Sequence, residues 1–240
     1  SAVSVPFTES FEYGYDCWTF IGDNQYVNTN SAQKVSGNLG LSITKATIVS
    51  PELDVTSLAD YMITGWVRSN VGDVDLSIGV MTDAGDVSTF EPIGTYHIQD
   101  GWKWCQFRMY FNDLLSDDYA DFRSARYVAI YLPQEDVSFF MDDIAIVPAP
   151  QCKQPVEAKI DAVTSNSATL SWTSKSDETS WNVVARIGER VMVDTIVTSN
   201  PATITGLQHS TTYDFTLKAI CSDVAESDVT EVGRATTECG

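Results

Sequence analysis

The chain has 240 residues, 43% hydrophobic and 11% aromatic, a globular composition with room for two domains that each bury a core. Its formal net charge of −19, from 33 acidic and 14 basic residues, sets nucleic acid and anionic lipid against it as partners. No apolar run approaches the roughly 20 residues that span a bilayer, so no direct membrane insertion is expected of this chain. The N-terminus carries no basic-then-apolar segment, and an exported chain is expected to have shed its signal peptide.

The acidic excess is uneven. Residues 1–150 hold 21 acids and 7 bases, and residues 151–240 hold 12 and 7. Such a surface serves solubility first, but clustered carboxylate oxygens are also what Ca²⁺ prefers. Five cysteines, at 17, 105, 152, 221 and 239, show neither CxxC pairs nor zinc-ligand spacing. They read as buried thiols or long-range disulfide partners, and the odd count leaves at least one free or paired outside the chain.

In chain order, residues 5–18 (VPFTESFEYGYDCW) place Phe7 and Phe11 among polar residues before a glycine turn, which suits an edge strand and a loop. Residues 23–40 are rich in Asn, Ser and Gly and read as a long surface loop. Strand signals then recur at 41–49, 61–69, 75–81, 93–97, 103–111, 127–132 and 137–147. The single helical pattern, 112–125, is weakened by Asp and Ser and predicts a loop with one helical turn. Short strands with almost no helix predict an all-β sandwich, a jelly roll above other choices.

The stretch 138–155, SFFMDDIAIVPAPQCKQP, closes this domain and breaks into a proline-stiffened linker. The predicted boundary divides the chain into 1–149 and 150–240. Seven more strand signals follow within about 85 residues, the size of an immunoglobulin-like sandwich.

In the second domain SATLSWTS sets Trp172 at the end of an alternating strand, and ITGLQHSTTYDFTLKAIC carries Leu207, Thr211 and Tyr213. These segments resemble the fibronectin type III family, with His209 where the family usually has Pro. The tyrosine ring fills core space while its hydroxyl is expected to bond a backbone group upstream. In the topology that this resemblance implies, Cys152 and Cys221 share a pole and are expected to pair. Cys17 and Cys105 are matched only by parity, leaving Cys239 over. The family also includes receptor-binding modules with an Arg-Gly-Asp loop, which is absent here, so the domain is expected to act as a spacer.

In the first domain FTESFEYGYDCW, IVSPELDVTSLADYMITGWVRS and VSFFMDDIAI resemble the cleaved-adhesin and MAM-like jelly rolls of Bacteroidetes surface proteins. The resemblance implies a structural Ca²⁺ tying the first strand to the last, with Glu12, Asp142 and Asp143 as ligands. Asp16, Asp23 and Asn38 are candidates to complete it. The alternative is that Asp142 and Asp143 simply carry solvated charge at a strand.

Catalysis is not expected. The two histidines, His97 and His209, fall in different domains, and no GxSxG, HExxH or phosphate-binding glycine loop occurs. Binding is the better reading. The sequence offers Tyr26, Tyr96, Trp102, Trp104 and Tyr110 near the polar residues Asn24, Gln25, Gln99, Asp100 and Asn112, and Trp102 and Trp104 alternate along one predicted strand. If their face is solvent they form a stacking platform; if it is core they are packing, which tryptophan's average burial favours.

Together these readings predict an all-β protein, a jelly-roll sandwich followed by a fibronectin type III sandwich, secreted or on the cell surface of a bacterium. Its expected work is adhesion or ligand binding by the jelly roll, to a host or bacterial surface protein or a glycan. The alternative is a carbohydrate-binding accessory of a glycan-utilisation system.

Overall fold

The computed structural model describes residues 2–22 and 27–240 and divides into two units, Ser1–Ala149 and Pro150–Gly240. Both are built almost wholly of antiparallel strands. Among the described residues no helix is long and apolar enough to cross a membrane.

The first unit holds strands β1 (Phe7–Glu9), β2 (Thr19–Ile21), β3 (Val27–Asn30), β4 (Gly40–Thr44), β5 (Thr47–Val49), β6 (Tyr61–Ser69), β7 (Val74–Met81), β8 (Phe90–Ile98), β9 (Cys105–Tyr110), β10 (Tyr127–Tyr131) and β11 (Ser138–Pro148). One sheet runs β3-β4-β11-β6-β9, with β1 also on β11; the other runs β2-β5-β10-β7-β8. This is the jelly-roll sandwich. The helical pattern at 112–125 becomes two short 3₁₀ segments, Asn112–Leu115 and Asp117–Phe122.

Period-2 alternation sorts the side chains of β6. Ile63, Gly65, Val67 and Ser69 face the core, while Met62, Thr64, Trp66 and Arg68 stand half-buried on the outer face. Phe107, Phe139, Met141, Ile144 and Ile146 complete the inner layer of this sheet, against Leu76, Ile78 and Ile130 of the other. Phe11, at φ +57, is also driven fully into the core, with its ring 5.9 Å from that of Trp18. Glu9 holds this turn: its carboxylate accepts from the Phe11 amide at 2.8 Å and from the Trp18 indole at 3.3 Å.

The edge of β11 is the unusual part. Residues 138–141 pair with β4, and Ile144, Ala145 and Ile146 pair with β1 along the same edge. Asp142 and Asp143 fall in the gap between those two partners. A bulge separates Asp142 from Ala145 on the β6 side as well, and Asp143 has φ +49.

The second unit holds β12 (Val156–Val163), β13 (Ser167–Thr173), β14 (Ser180–Ile187), β15 (Arg190–Val197), β16 (Ala202–Thr205), β17 (Thr212–Ser222), β18 (Ala225–Glu226) and β19 (Thr230–Thr236). Sheet β12-β13-β16 packs on sheet β15-β14-β17-β18, with β19 also on β17. Trp172 and Trp181 meet edge to face in its core at 5.1 Å. Tyr213 is buried, and its hydroxyl accepts from the Gln208 amide at 2.9 Å, so the corner lock expected from the sequence forms. Thr216 on β17 is buried under Arg186, whose guanidinium donates to its hydroxyl at 3.1 Å.

Cys152 and Cys221 form a disulfide, as the pole argument requires. The pairing of Cys17 with Cys105 is not made, and both are free thiols together with Cys239. The reason is topological: Cys17 precedes β2, at one edge of the sandwich, and Cys105 opens β9, at the other. The disulfide joins residues 69 apart, a large loop to constrain in the unfolded chain. Substituting both cysteines by serine is expected to cost the second unit about 3–5 kcal/mol. Denaturant unfolding followed by Trp172 and Trp181 fluorescence checks this, and an unchanged midpoint would refute it.

Candidate functional site

The gap in the β11 edge is filled by a loop. Residues 31–39 leave β3, cross the outer face of the sheet and enter β4, turning their backbone amides onto carboxylates. Asp142, with no exposed surface, accepts from Val35 N at 2.7 Å, Ser36 N at 3.0 Å and Asp143 N at 2.8 Å. The Ser36 hydroxyl donates to Asp143 at 2.8 Å. Glu12, just past β1, accepts from Asn38 N at 2.7 Å and Leu39 N at 2.9 Å. These bonds hold its carboxyl below the usual carboxylate range, the Leu39 amide contributing most. Gly37, at φ +56, lies so close to Glu12 that a Cβ there would collide with the carboxylate.

Glu12, Asp142 and Asp143 are therefore brought to one loop, joining the start of the first unit to its last strand. Their polar partners are N–H and O–H donors, however, whereas Ca²⁺ takes about six to eight oxygen atoms. Among the described residues no group of three or more carboxylate, histidine or cysteine side chains is placed to hold a metal ion. In this arrangement loop amides and the Ser36 hydroxyl are the partners of the three carboxylates. Asp23 lies outside the described residues, as do Asn24, Gln25 and Tyr26.

Beside the clasp, the outer face carries an aromatic cluster around Arg68. Register places Phe140 opposite Arg68 on β11, and Gln106 of β9 opposite Trp66. Trp102 and Trp104 lie in the turn before β9, not on one strand as the alternation predicts. Trp102 takes φ +61, and its amide donates to the Ser69 carbonyl at 2.6 Å. Its ring stacks on Phe140 with centroids 5.7 Å apart and planes at 27°. The Arg68 guanidinium carbon sits 5.4, 5.0 and 5.2 Å from the ring centres of Trp102, Trp104 and Phe140. Burial pushes the Arg68 guanidinium below its ordinary value.

Trp102 is 57% exposed. Strand β9 is covered on one face: Phe107 faces the core while Gln106 reaches solvent, as does Trp102 in the turn before it. Tyr96 is elsewhere, on β8, where its ring approaches Phe107 at 6.0 Å and its hydroxyl donates to the Gln106 carbonyl at 3.2 Å. Burial pushes its phenol up to about 12. Sequence reading missed Arg68, Phe140, Gln33 and Trp66. Their one signal is that bulky aromatics and an arginine take the solvent-side positions of β6 and β11.

His97 is bracketed by Asp75, 2.8 Å from Nδ1, and Asp73, 3.6 Å from Nε2, on the exposed β7–β8 pair. His209 lies in the second unit.

The fibronectin type III domain family matches residues 150–232, and the second unit is such a domain. No curated protein matches the chain in sequence. Among solved structures the chain is similar to the K3 cleaved adhesin domain of Lys-gingipain from Porphyromonas gingivalis, at 16% identity and TM-score 0.44, over 59% of this chain and 98% of that one. It is also similar to the CBM22-1–GH10 modules of a Clostridium thermocellum endo-1,4-β-D-xylanase complexed with xylohexaose, at 16% identity and TM-score 0.43, over 60% of this chain and 28% of that one. A third is the glycoside hydrolase domain of Endo-D from Streptococcus pneumoniae, at 12% identity and TM-score 0.34. There 92% of this chain is covered, but the chain spans only 37% of that structure's length.

Replacing Asp142 by Ala strands amide donors at a buried position and is expected to cost the first unit about 3 kcal/mol in denaturant unfolding. A loss below about 0.5 kcal/mol would contradict the clasp. Because amides fill the carboxylates, the thermal midpoint of the whole chain is expected to be the same in Ca²⁺ and in EDTA. A midpoint several degrees higher in Ca²⁺ would mean that the loop offers carbonyls to a metal.

Proposed function

We propose that the chain is a non-catalytic adhesion protein, exported or surface-displayed. Its first unit binds glycan on the Trp102 face of the six-stranded sheet, and its fibronectin type III domain is a spacer. One observation carries this reading: Trp102 is more than half exposed while held in a left-handed backbone conformation. Such a conformation costs a non-glycine residue on the order of 1–3 kcal/mol. Exposing a large aromatic ring forgoes hydrophobic gain besides. A protein bearing both costs at one residue keeps that ring outside for a partner.

The chemistry of the face points to sugar. A single rigid indole offers one pyranose-sized stacking surface, and Gln106, exposed on the outer face of β9, carries an amide donor and acceptor for hydroxyls. A protein partner calls for a wider apolar core than one ring supplies. The acidic surface agrees with the exclusion of nucleic acid. The Cys152–Cys221 disulfide supports an oxidising, extracytoplasmic setting.

An array of neutral and acidic oligosaccharides, probed with the whole chain, tests the reading. Trp102→Ala is expected to weaken binding by at least tenfold while leaving the unfolding midpoint nearly unchanged. Tyr131→Phe, on β10 of the other sheet, is expected to bind as wild type. No binding to any arrayed glycan, or undiminished binding by Trp102→Ala, would overturn it.

A further inference from the structure

We propose that Arg68 is the positioning residue of this platform, and that the loop clasp acts on the ligand face through Gln33 and Arg68. This rests on the reading of Trp102 as the stacking surface, but its evidence is separate.

Arg68 is poorly placed to recognise a ligand itself. Its Nε is buried and without a hydrogen-bond partner, Nη1 donates to the Trp102 carbonyl at 3.5 Å, and Nη2 donates to the Gln33 side-chain oxygen. The guanidinium carbon lies within 5.0–5.4 Å of three aromatic ring centres. A flat, delocalised cation stacks on such rings where an ammonium is a hydrated point charge. Arg68 thus ties Trp102 to Phe140 and Trp104 by its charge, and ties the turn backbone by its donated bond.

Gln33 is fixed in its turn by the loop. The Gln33 carbonyl oxygen lies where a Cβ of Gly40 would be, so the loop crosses the first residue of β4 in close contact. Val35 and Ser36 are anchored on Asp142, and Asn38 and Leu39 on Glu12. The chain of contacts therefore runs from Glu12 and Asp142, through loop 31–39 and Gln33, to Arg68 and on to Trp102. The carboxylates that a family resemblance marks as metal ligands serve here to set the geometry of a ligand face.

The test is ligand-free first. The whole chain, labelled with 5-fluorotryptophan, is expected to give a ¹⁹F resonance for Trp102 (assigned with Trp102→Phe) that is shifted from the exposed free amino acid by ring currents. In Arg68→Ala and Gln33→Ala this resonance is expected to move toward the free value, with Trp172 and Trp181 unmoved. Arg68→Lys, which keeps the charge, is expected to rescue only part of the shift. Glycan binding on the same array is expected to fall at least fivefold in Arg68→Ala and measurably in Gln33→Ala. Gln33→Ala keeps the test valid should Arg68→Ala fail to fold.

An unmoved Trp102 resonance in both alanine variants would overturn the proposal, as would full rescue by lysine. If the resonance moves but the wild type binds no glycan, the positioning role stands and only the ligand reading fails. If the wild type binds and both variants bind equally well, the positioning role fails and the ligand reading stands.

Discussion

The first unit depends on how one strand edge is completed. Strand β11 meets β4 along its first half and β1 along its second, and no third strand covers the two residues between them. Bare backbone at that point, in the middle of a sheet, would be costly to bury. The chain places Asp142 there and bends loop 31–39 over it, so the carboxylate is buried with three N–H bonds. Glu12 repeats the arrangement three residues further along the loop. Oriented amides substitute for a charge partner in the way that backbone nests bind anions. A bulge and a φ of +49 at Asp143 follow from the same constraint, since the chain must re-register between two partners.

From that closure the outer face takes its form. The loop that seals the gap also walls one side of the sheet and delivers Gln33 to Arg68. Arg68, on β6, in turn gathers three rings, that of Phe140 on β11 and those of Trp102 and Trp104 in the turn before β9. The cation–π and stacking contacts are each worth about 0.5–2 kcal/mol, enough to order an indole in water but too little to bury it. The result is a rigid, exposed Trp102 on a protein otherwise dominated by acidic solubility. The second unit is held in its own fold by its disulfide and by the Tyr213 corner.

Much of this was legible in the sequence, and the limits have physical causes. Strand alternation and turn residues locate most of the strands, and Tyr213 and the Cys152–Cys221 pair follow from a sandwich whose poles are known. Glu12, Asp142 and Asp143 could be grouped because short motifs carry them. Their partners could not, because backbone amides of Val35, Ser36, Asn38 and Leu39 leave no side-chain signature. Trp102 misled the reading for a related reason: one residue at φ +61 ends the alternation on which face assignment relies. Cys17 and Cys105 show the weakness of parity, which counts thiols without asking which edge of the sandwich each occupies.

Trp102 and its ring neighbours are proposed to receive the ligand on a face held by the clasp. Titrating the ¹⁵N-labelled whole chain with the oligosaccharide it binds best, while following the six indole N–H resonances, tests this most directly. The account predicts saturable shifts at Trp102 and Trp104, with Trp18, Trp172 and Trp181 unmoved. Shifts confined to Trp172 and Trp181, or saturation of binding with Trp102 unperturbed, would contradict it.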